Sequence, residues 1–532
     1  MRDRKLRPLL AAAGLALATA APVGSAAAAT LVVDKSNPSC TDKGTGAAFC
    51  TIGGAAAKTN PGDTVQVRAG IYNEKVAVKR SGAAGAVVTF AADPGVTVTG
   101  QTAGFDLASV QWVTVQGFGV GSPTGSGLPT TTSYGLRALL SSNFTLANNV
   151  ISNSAGYGVY VGNSSAFTLS GNTVSGSKNN GVYLTSDTGF TLSGGEVSTS
   201  GQPVSGSTRQ GIYGTGSGTG LITGVTVDQN TDSGIFLTGG TNAVTVKGNT
   251  AYGNARGYTR AAPGIEVRGT SGNRIEANVS YNNEDSGIQF YTGASGNVAV
   301  DNVLFNNGDH GIDDLDSPQQ TFVGNSVFHN VTAGINVEAN SSGGSAGAVI
   351  ESNVSVDNGL NSPRTRGNIR VDPNSNGNVV MNYNLVSLST SGTMYTWGTT
   401  QYPSLAALRA AVPAVEANGV QADPLWASVP PASYGLPVGP GPTATDFQPL
   451  AGSPAIDSAD SGAGGGAASA CDAKGLNRGD DPATTDTGAG PRSFDDRGAL
   501  EFQGTPGAPC QAAAAGTAAV RLTSRARSGA RR

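Results

Sequence analysis

The sequence predicts an all-β solenoid, a parallel β-helix with coils of about 23 residues. Three observations predict it. First, a strand-like tetrapeptide, Gly-(Ile/Val)-X-apolar, returns at a nearly fixed period: Gly158-Val159-Tyr160-Val161, Gly181-Val182-Tyr183-Leu184, Gly234-Ile235-Phe236-Leu237, Gly264-Ile265-Glu266-Val267, Gly287-Ile288-Gln289-Phe290, Gly311-Ile312-Asp313-Asp314 and Gly334-Ile335-Asn336-Val337. Counting the degenerate Gly211-Ile212-Tyr213-Gly214, the glycines are spaced 23, 30, 23, 30, 23, 24 and 23 residues apart. That period is too short for a helix pair and suits stacked short strands. Second, asparagines recur in two phases of the same repeat. Third, glycine is abundant, 78 of 532 residues, and charged residues are only 13%. Such a composition fits tight turns between short β segments.

Residues 1–29 read as a secretory signal. Arg2, Arg4, Lys5 and Arg7 precede an apolar run, Leu9 to Ala21, and Ala26–Ala29 offers small-residue cleavage sites. That run is short for a bilayer, and no other segment is long enough to span one. The chain is therefore expected to be secreted and extracellular, with no membrane span.

Residues 30–85 are not yet repetitive and read as an N-terminal cap with opening strands. Thr51–Lys58 suggests a short helix covering the end of the solenoid, which would otherwise expose its core. Residues 86–386 form the β-helix proper. Asn148, Asn172, Asn249, Asn278, Asn302, Asn325 and Asn353 make one recurring position; Asn153, Asn254, Asn283, Asn307, Asn330 and Asn358 make a second. Asparagine tolerates left-handed turns and can bond the next coil, so both columns read as structural ladders. Residues 387–510 read as an exit segment, with a helix at Leu405–Ala411, and an irregular C-terminal region. Residues 511–532 read as a disordered basic tail.

Four cysteines and no Cys in the repeat suit an oxidising compartment. Of three connectivities, local pairing is favoured: Cys40 with Cys50, Cys471 with Cys510. The whole chain carries −4; without the signal it holds 28 basic against 35 acidic residues, and without the basic tail 23 against 35. An acidic body argues against nucleic-acid binding. An anionic substrate would then need local arginines or a bound cation.

Within each tetrapeptide the Ile or Val points inward, so X points out. In chain order the X residues are Tyr160, Tyr183, Tyr213, Phe236, Glu266, Gln289, Asp313, Asn336 and, by a weaker match, Arg370. The column changes from aromatic to polar and charged. It reads either as a solvated structural face or as a cleft, with Tyr183, Tyr213 and Phe236 stacking on sugars and the polar half doing chemistry.

The repeat resembles the right-handed parallel β-helices of the pectate lyase superfamily. The Pro61–Glu74 segment, and the closing segments Ser453–Asp457 and Asp495–Glu501, are similar to blocks of the extracellular family-nine pectate-lyase-like group. The resemblance implies a right-handed solenoid and a polysaccharide substrate, with the cleft over the Gly-Ile-X-Val sheet. It implies Ca²⁺ as a cofactor, with Asp313, Asp314 and Asp316 joined by Asp285 and Glu284 from the preceding coil. A hard cation accepts such oxygen sets.

β-Elimination from a uronate also needs a base for the C5 proton. Related lyases often use Lys, but none lies between Lys247 and Lys474. The candidates are Arg370 and Arg268, with His310 beside the acidic run. Arg364, Arg366, Gln289, Asn336 and Tyr291 are candidate substrate contacts. A hydrolase would instead need two carboxylates. Glu266 and Asp313 lie two coils apart, roughly 9–10 Å, and Asp313 and Glu338 roughly 8 Å apart at strand spacing. Both are near the ~6.5–9.5 Å of inverting glycosidases. The expected function is a Ca²⁺-assisted polysaccharide lyase on an acidic glycan such as pectate. An inverting glycoside hydrolase and a non-catalytic glycan-binding surface protein are the alternatives. A capped solenoid can be a monomer, which is the expected state.

Overall fold

In the computed structural model, the described residues are 28–201, 209–257, 262–340, 344–431, 434, 444–504 and 508–510. Residues 1–27, most of the expected signal segment 1–29, and the expected basic tail 511–532 lie outside them. Among the described residues three sheets of 14 strands run the length of the molecule. Each coil contributes one strand to each sheet, and successive coils pair in parallel. The sheet that carries the Gly-Ile-X-Val repeat is called the cleft sheet below. Its last pair, Tyr395–Trp397 with Thr400–Tyr402, turns back antiparallel.

The ladder starts earlier than the repeat. Thr30–Val33 already pairs with Thr64–Val67, and that strand with Val88–Ala92. Residues 30–85 are thus coils as well as a cap. Strand pairing needs only alternating inward apolar residues; the Gly and Asn signature belongs to the turns, which differ in these first coils.

The interior is a continuous apolar column. Ile235, Ile265, Ile288, Ile312 and Ile335 stack in register and are fully buried. Each such side chain contributes about 1.5–3 kcal/mol by leaving water. Phe144, Phe167 and Phe190 stack at one corner with centroids 4.9 and 5.8 Å apart.

Two asparagine ladders run beside this core. Asn249 Nδ2 donates to Asn278 Oδ1, Asn278 to Asn302, Asn302 to Asn325 and Asn325 to Asn353, each at 2.9–3.0 Å. The second ladder joins Asn254, Asn283, Asn307, Asn330 and Asn358 in the same way. Two expected members are displaced by one position. Asn149, not Asn148, donates to Asn172, and Ser154, not Asn153, occupies the inner place. Asn148 and Asn153 hold the left-handed turn instead, each with φ 52°. The first ladder ends where Asn384 Nδ2 donates to Glu416 Oε1 at 2.7 Å, and Glu416 is fully buried.

The short N-terminal helix spans Ile52–Ala56. Thr51 caps it by accepting from Gly54 N, and the Glu74 carboxylate takes the Ile52 and Gly53 amides at 2.8 Å each. A carboxylate at free helix amides is favourable. With Gly53 and Gly54 inside, the helix depends on burying Ile52, Ala55 and Ala56 over the core's end. The exit helix is Leu405–Ala411, capped by Ser404. Cys40–Cys50 and Cys471–Cys510 are the two disulfides, so the pairing is local.

The C-terminal region lies against the solenoid through buried arginines. Arg478 bonds Asp301 Oδ1 and Glu501 Oε2, both at 2.9 Å. Within that region the half-buried Arg492 pairs with Asp495 at 2.7 Å. Arg497 donates to the carbonyls of Ser458, Asn384 and Asn418.

Candidate active site

Strand register builds the outward column as the sequence alternation requires. Tyr160, Tyr183, Tyr213, Phe236, Glu266, Gln289, Asp313, Asn336 and Arg370 are successive partners on neighbouring coils. Side chains two residues further on, Arg268, Tyr291 and Glu338, rise from the same face.

The aromatic half does not offer open ring faces. Tyr183 is stacked between Tyr157 at 5.3 Å and Tyr213 at 5.1 Å. Phe236 meets Tyr213 on one side and the Arg268 guanidinium, 5.3 Å from its centroid, on the other. The rings cover one another, so the column presents edges and hydroxyl groups. Expected face-on stacking of sugars on Tyr183, Tyr213 and Phe236 is therefore not what the geometry provides. Beside them Tyr157, Asn180, Arg209, Gln210, Tyr213 and Phe236 enclose a cavity of about 300 Å³.

The polar half is a chain of paired charges. Glu266 Oε1 lies 2.5 Å from Arg268 Nη2, and its Oε2 accepts from Ser233 Oγ at 2.7 Å. The Arg268 guanidinium also sits 4.5 Å from the Tyr291 ring centroid, a cation–π distance. Asp313 accepts from Gln289 Nε2 at 2.9 Å and from Asn336 Nδ2 at 2.8 Å. Asn336 Oδ1 in turn accepts from Arg370 Nη1 at 2.6 Å, which also pairs with Glu338 Oε2 at 2.6 Å. Arg370 and Arg268, so engaged, are cations and not proton acceptors.

His310 lies behind Asp313. Its Nδ1 is 3.6 Å from Asp313 Oδ1 and 3.4 Å from Asp309 Oδ1, and its Nε2 shares a 2.8 Å hydrogen bond with Thr365 Oγ1. Burial holds the ring below its ordinary value, so it is neutral near pH 7. Asp309 pairs with Arg364 at 2.5 Å. Burial opposes the Arg364 charge, but Asp309 outweighs it and holds that guanidinium above its ordinary value. Arg366 Nε donates to the Ser362 carbonyl at 3.1 Å. Asp309 and Thr365 were missed in sequence. Asp309 had a signal, being the acid directly before His310; Thr365 had none, because it reaches the site from a connection 55 residues away.

Burial raises several carboxyls. Asp313 is pushed up to about 6, by desolvation first and Asp309 second. Glu338 is raised by desolvation and then Asp313. Glu266 is raised by desolvation, against the pull of Arg268. Asp285 is raised well above the usual range by desolvation, then by Asp309 and Asp313. Glu284 is raised by desolvation and Asp309.

The calcium set expected from sequence does not converge. Asp314 pairs in register with Phe290 and Val337, inside the solenoid, because alternation turns it away from Asp313. It is fully buried, and desolvation pushes it well above the carboxylate range. Asp316 bends off the strand end with φ 53° and accepts from Asn340 N at 2.7 Å and Gly344 N at 3.3 Å. Both Asp313 oxygens already accept amide protons. Asp285 takes Ser286 Oγ at 3.1 Å. Asp313 is held by amides, and Glu266, Asp309 and Glu338 by arginines; among the described residues no three cleft carboxylates bring their oxygens within 4.8 Å of one another, so they do not form a cage for a cation as arranged.

A sequence model described as the right-handed β-helix region matches residues 134–260 and 258–405, just over half of the chain. The chain belongs to the right-handed β-helix family. The expected fold, a right-handed parallel β-helix, is the observed one. No curated protein sequence matches the chain. Among solved structures it is similar to an alginate lyase from Paenibacillus sp. str. FPU-7, with 13% identity over 52% of this chain and 94% of that one and a TM-score of 0.40. It is also similar to pectate lyase Pel9A, with 14% identity over 90% and 98% of the two chains and a TM-score of 0.39. A third is the PL6 family alginate lyase AlyGC, with 14% identity over 70% and 55% and a TM-score of 0.45. Among the described residues no helix is long and apolar enough to cross a membrane.

Proposed function

We propose that this chain is an exported polysaccharide lyase that cleaves an acidic glycan by β-elimination, using Glu338 as base and the cleft arginines to hold the uronate. The observation that carries the reading is the row Arg268, Arg364 and Arg370. Each is fixed by a carboxylate within 2.6 Å; Arg268 and Arg370 stand on the cleft sheet, and Arg364 reaches Asp309 from the connection that follows Val354–Val356. Guanidinium groups so oriented suit carboxylate recognition, in forked geometry.

Glu338 is the cleft carboxylate best placed to meet substrate. Its side chain is 23% exposed, whereas those of Asp313 and Glu266 are 4% exposed. A raised carboxyl lies nearer the pH of use, where a general base is most effective. Arg364 and Arg370 would bind the uronate carboxylate and stabilise the negative charge that develops as the C5 proton leaves. Glu338 takes that proton, the C5–H electrons form the C4–C5 double bond, and the C4–O bond breaks. The leaving oxygen takes a proton from water. His310, Asp309 and Thr365 position Asp313 and Arg364. No step passes through calcium.

The hydrolase reading needs two carboxylates open to water and sugar. Asp313 and Glu266 are enclosed, and each is held at both oxygens, which argues against it. Export is supported by the two disulfides, which persist outside reducing compartments.

The test uses purified protein and a panel of acidic and neutral polysaccharides. Ultraviolet absorbance of unsaturated uronate and reducing ends are recorded together. Both signals rising establish the lyase. Reducing ends without absorbance would move the reading to hydrolysis, and binding without either signal to a non-catalytic glycan-binding protein.

A further inference from the structure

One group of side chains outside the cleft comes together as metal ligands do. In the C-terminal region, ligand oxygens of Asp457, Asp480 and Asp486 all lie within 4.8 Å of one another. Acidic turns are common without any ion, so closeness alone decides nothing. A second observation separates this one. Asp457 is fully buried, yet its Oδ2 has no hydrogen-bond partner, and its Oδ1 has only a 3.4 Å contact from the Asp481 amide. A buried unpartnered carboxylate oxygen is costly, and its charged neighbours are further acids, Asp480, Asp486 and Asp481. Asp480 and Asp486 are exposed, so the group opens to solvent and leaves room for water.

The geometry points to a calcium site held by Asp457, Asp480 and Asp486, which clips the 479–487 loop to the segment around Ser453–Asp457. All donors are oxygen and none is His or Cys, which selects a hard cation. Their irregular spread, completed by water, suits Ca²⁺ better than Mg²⁺, which demands a near-ideal octahedron. The site lies apart from the cleft and does not depend on the proposed reaction. Its role is structural. Asp457 N donates to Asp496 Oδ1 at 2.8 Å, and Asp496 belongs to the segment whose Arg497 and Ala499 donate to Asn384 and Ser326 of the solenoid. The ion therefore makes docking of the C-terminal region calcium-dependent.

The experiment compares wild type with Asp480→Asn/Asp486→Asn by thermal melting and by equilibrium dialysis of Ca²⁺. Both changes are at exposed positions. With about 10 mM Ca²⁺, well above the roughly 10⁻⁴–10⁻³ M affinity of extracellular sites, wild type melts a few degrees higher than in EDTA. The variant loses this shift and binds one ion fewer. In EDTA the order reverses: the variant melts above wild type, because two repelling charges are gone. Equal Mg²⁺ gives a smaller shift. A wild-type melting point indifferent to calcium, or an identical calcium shift in the variant, would show a solvated acidic turn and overturn the site.

Discussion

Arg370 Nη1 stands 2.6 Å from Glu338 Oε2 and 2.6 Å from Asn336 Oδ1, and Asn336 passes the constraint on to Asp313. One guanidinium thereby fixes both the exposed carboxylate of the cleft and the buried one beneath it. It follows that the two acids can be separated by mutation.

Glu338→Gln keeps the size and loses the proton acceptor. Turnover should fall by about 10²–10⁴-fold while glycan binding, followed by affinity electrophoresis, changes little. A variant with near-normal turnover would remove Glu338 from the chemistry.

The pH profile has a defined sign. Glu338 acts as its anion, and its value is raised, so kcat/KM should climb with pH through a midpoint above the ordinary glutamate range. A profile flat from pH 4 upward would place the base elsewhere.

Arg370→Lys retains charge but loses the planar guanidinium whose Nη1 serves Glu338 and Asn336 together. It should cost about 10-fold or more in kcat/KM, and Arg364→Lys should act mainly on KM. Equal small losses in neutral-glycan binding would show a merely structural arginine row.

Chelation gives a further check. Because the cleft carboxylates are already bonded by amides and arginines, turnover at low temperature should survive EDTA. Loss of turnover well below the melting point, restored by Ca²⁺, would return calcium to the cleft.

Glu416 predicts a pH effect on stability. Its value is about 7 in the folded chain, raised chiefly by burial, against 4.5 for the free side chain. A raised carboxyl favours folding at low pH and loses that advantage as pH rises from about 4.5 through 7. Gln can replace it, because Gln320 Oε1 alone takes both the amide and the Nδ2 of Asn297 at an equivalent rung. Glu416→Gln should therefore be near neutral at pH 4.5 and stabilising by up to about 3 kcal/mol above pH 7, read from melts at both pH values.

Much of the site was legible because a solenoid turns sequence period into spatial columns. The order Glu266, Gln289, Asp313, Asn336, Arg370 follows from alternation and coil length alone. What escaped was, apart from Asp314, set by turns and long connections. Asp314 looked like a neighbour of Asp313 in sequence, but a two-residue strand period sends it to the core. Asn148 and Asn153 carried the right residue one place too early, since left-handed turns accept Asn as readily as ladders do. Arg364 is a candidate from sequence, but its pairing with Asp309, and the reach of Thr365 to His310, follow the path of an insertion, which no repeat encodes.

The sequence by itself determined the solenoid, its apolar column, its asparagine ladders, the local disulfides and the identity of the outward column. These rest on interactions that recur at a fixed period, so each coil repeats the same instruction. Only the tertiary structure decided which charges pair, which carboxyls are enclosed, that the aromatic rings cover one another, and where oxygen ligands converge. Those outcomes depend on distances between side chains from different coils and on exclusion of water, quantities that accumulate only when the coils are stacked.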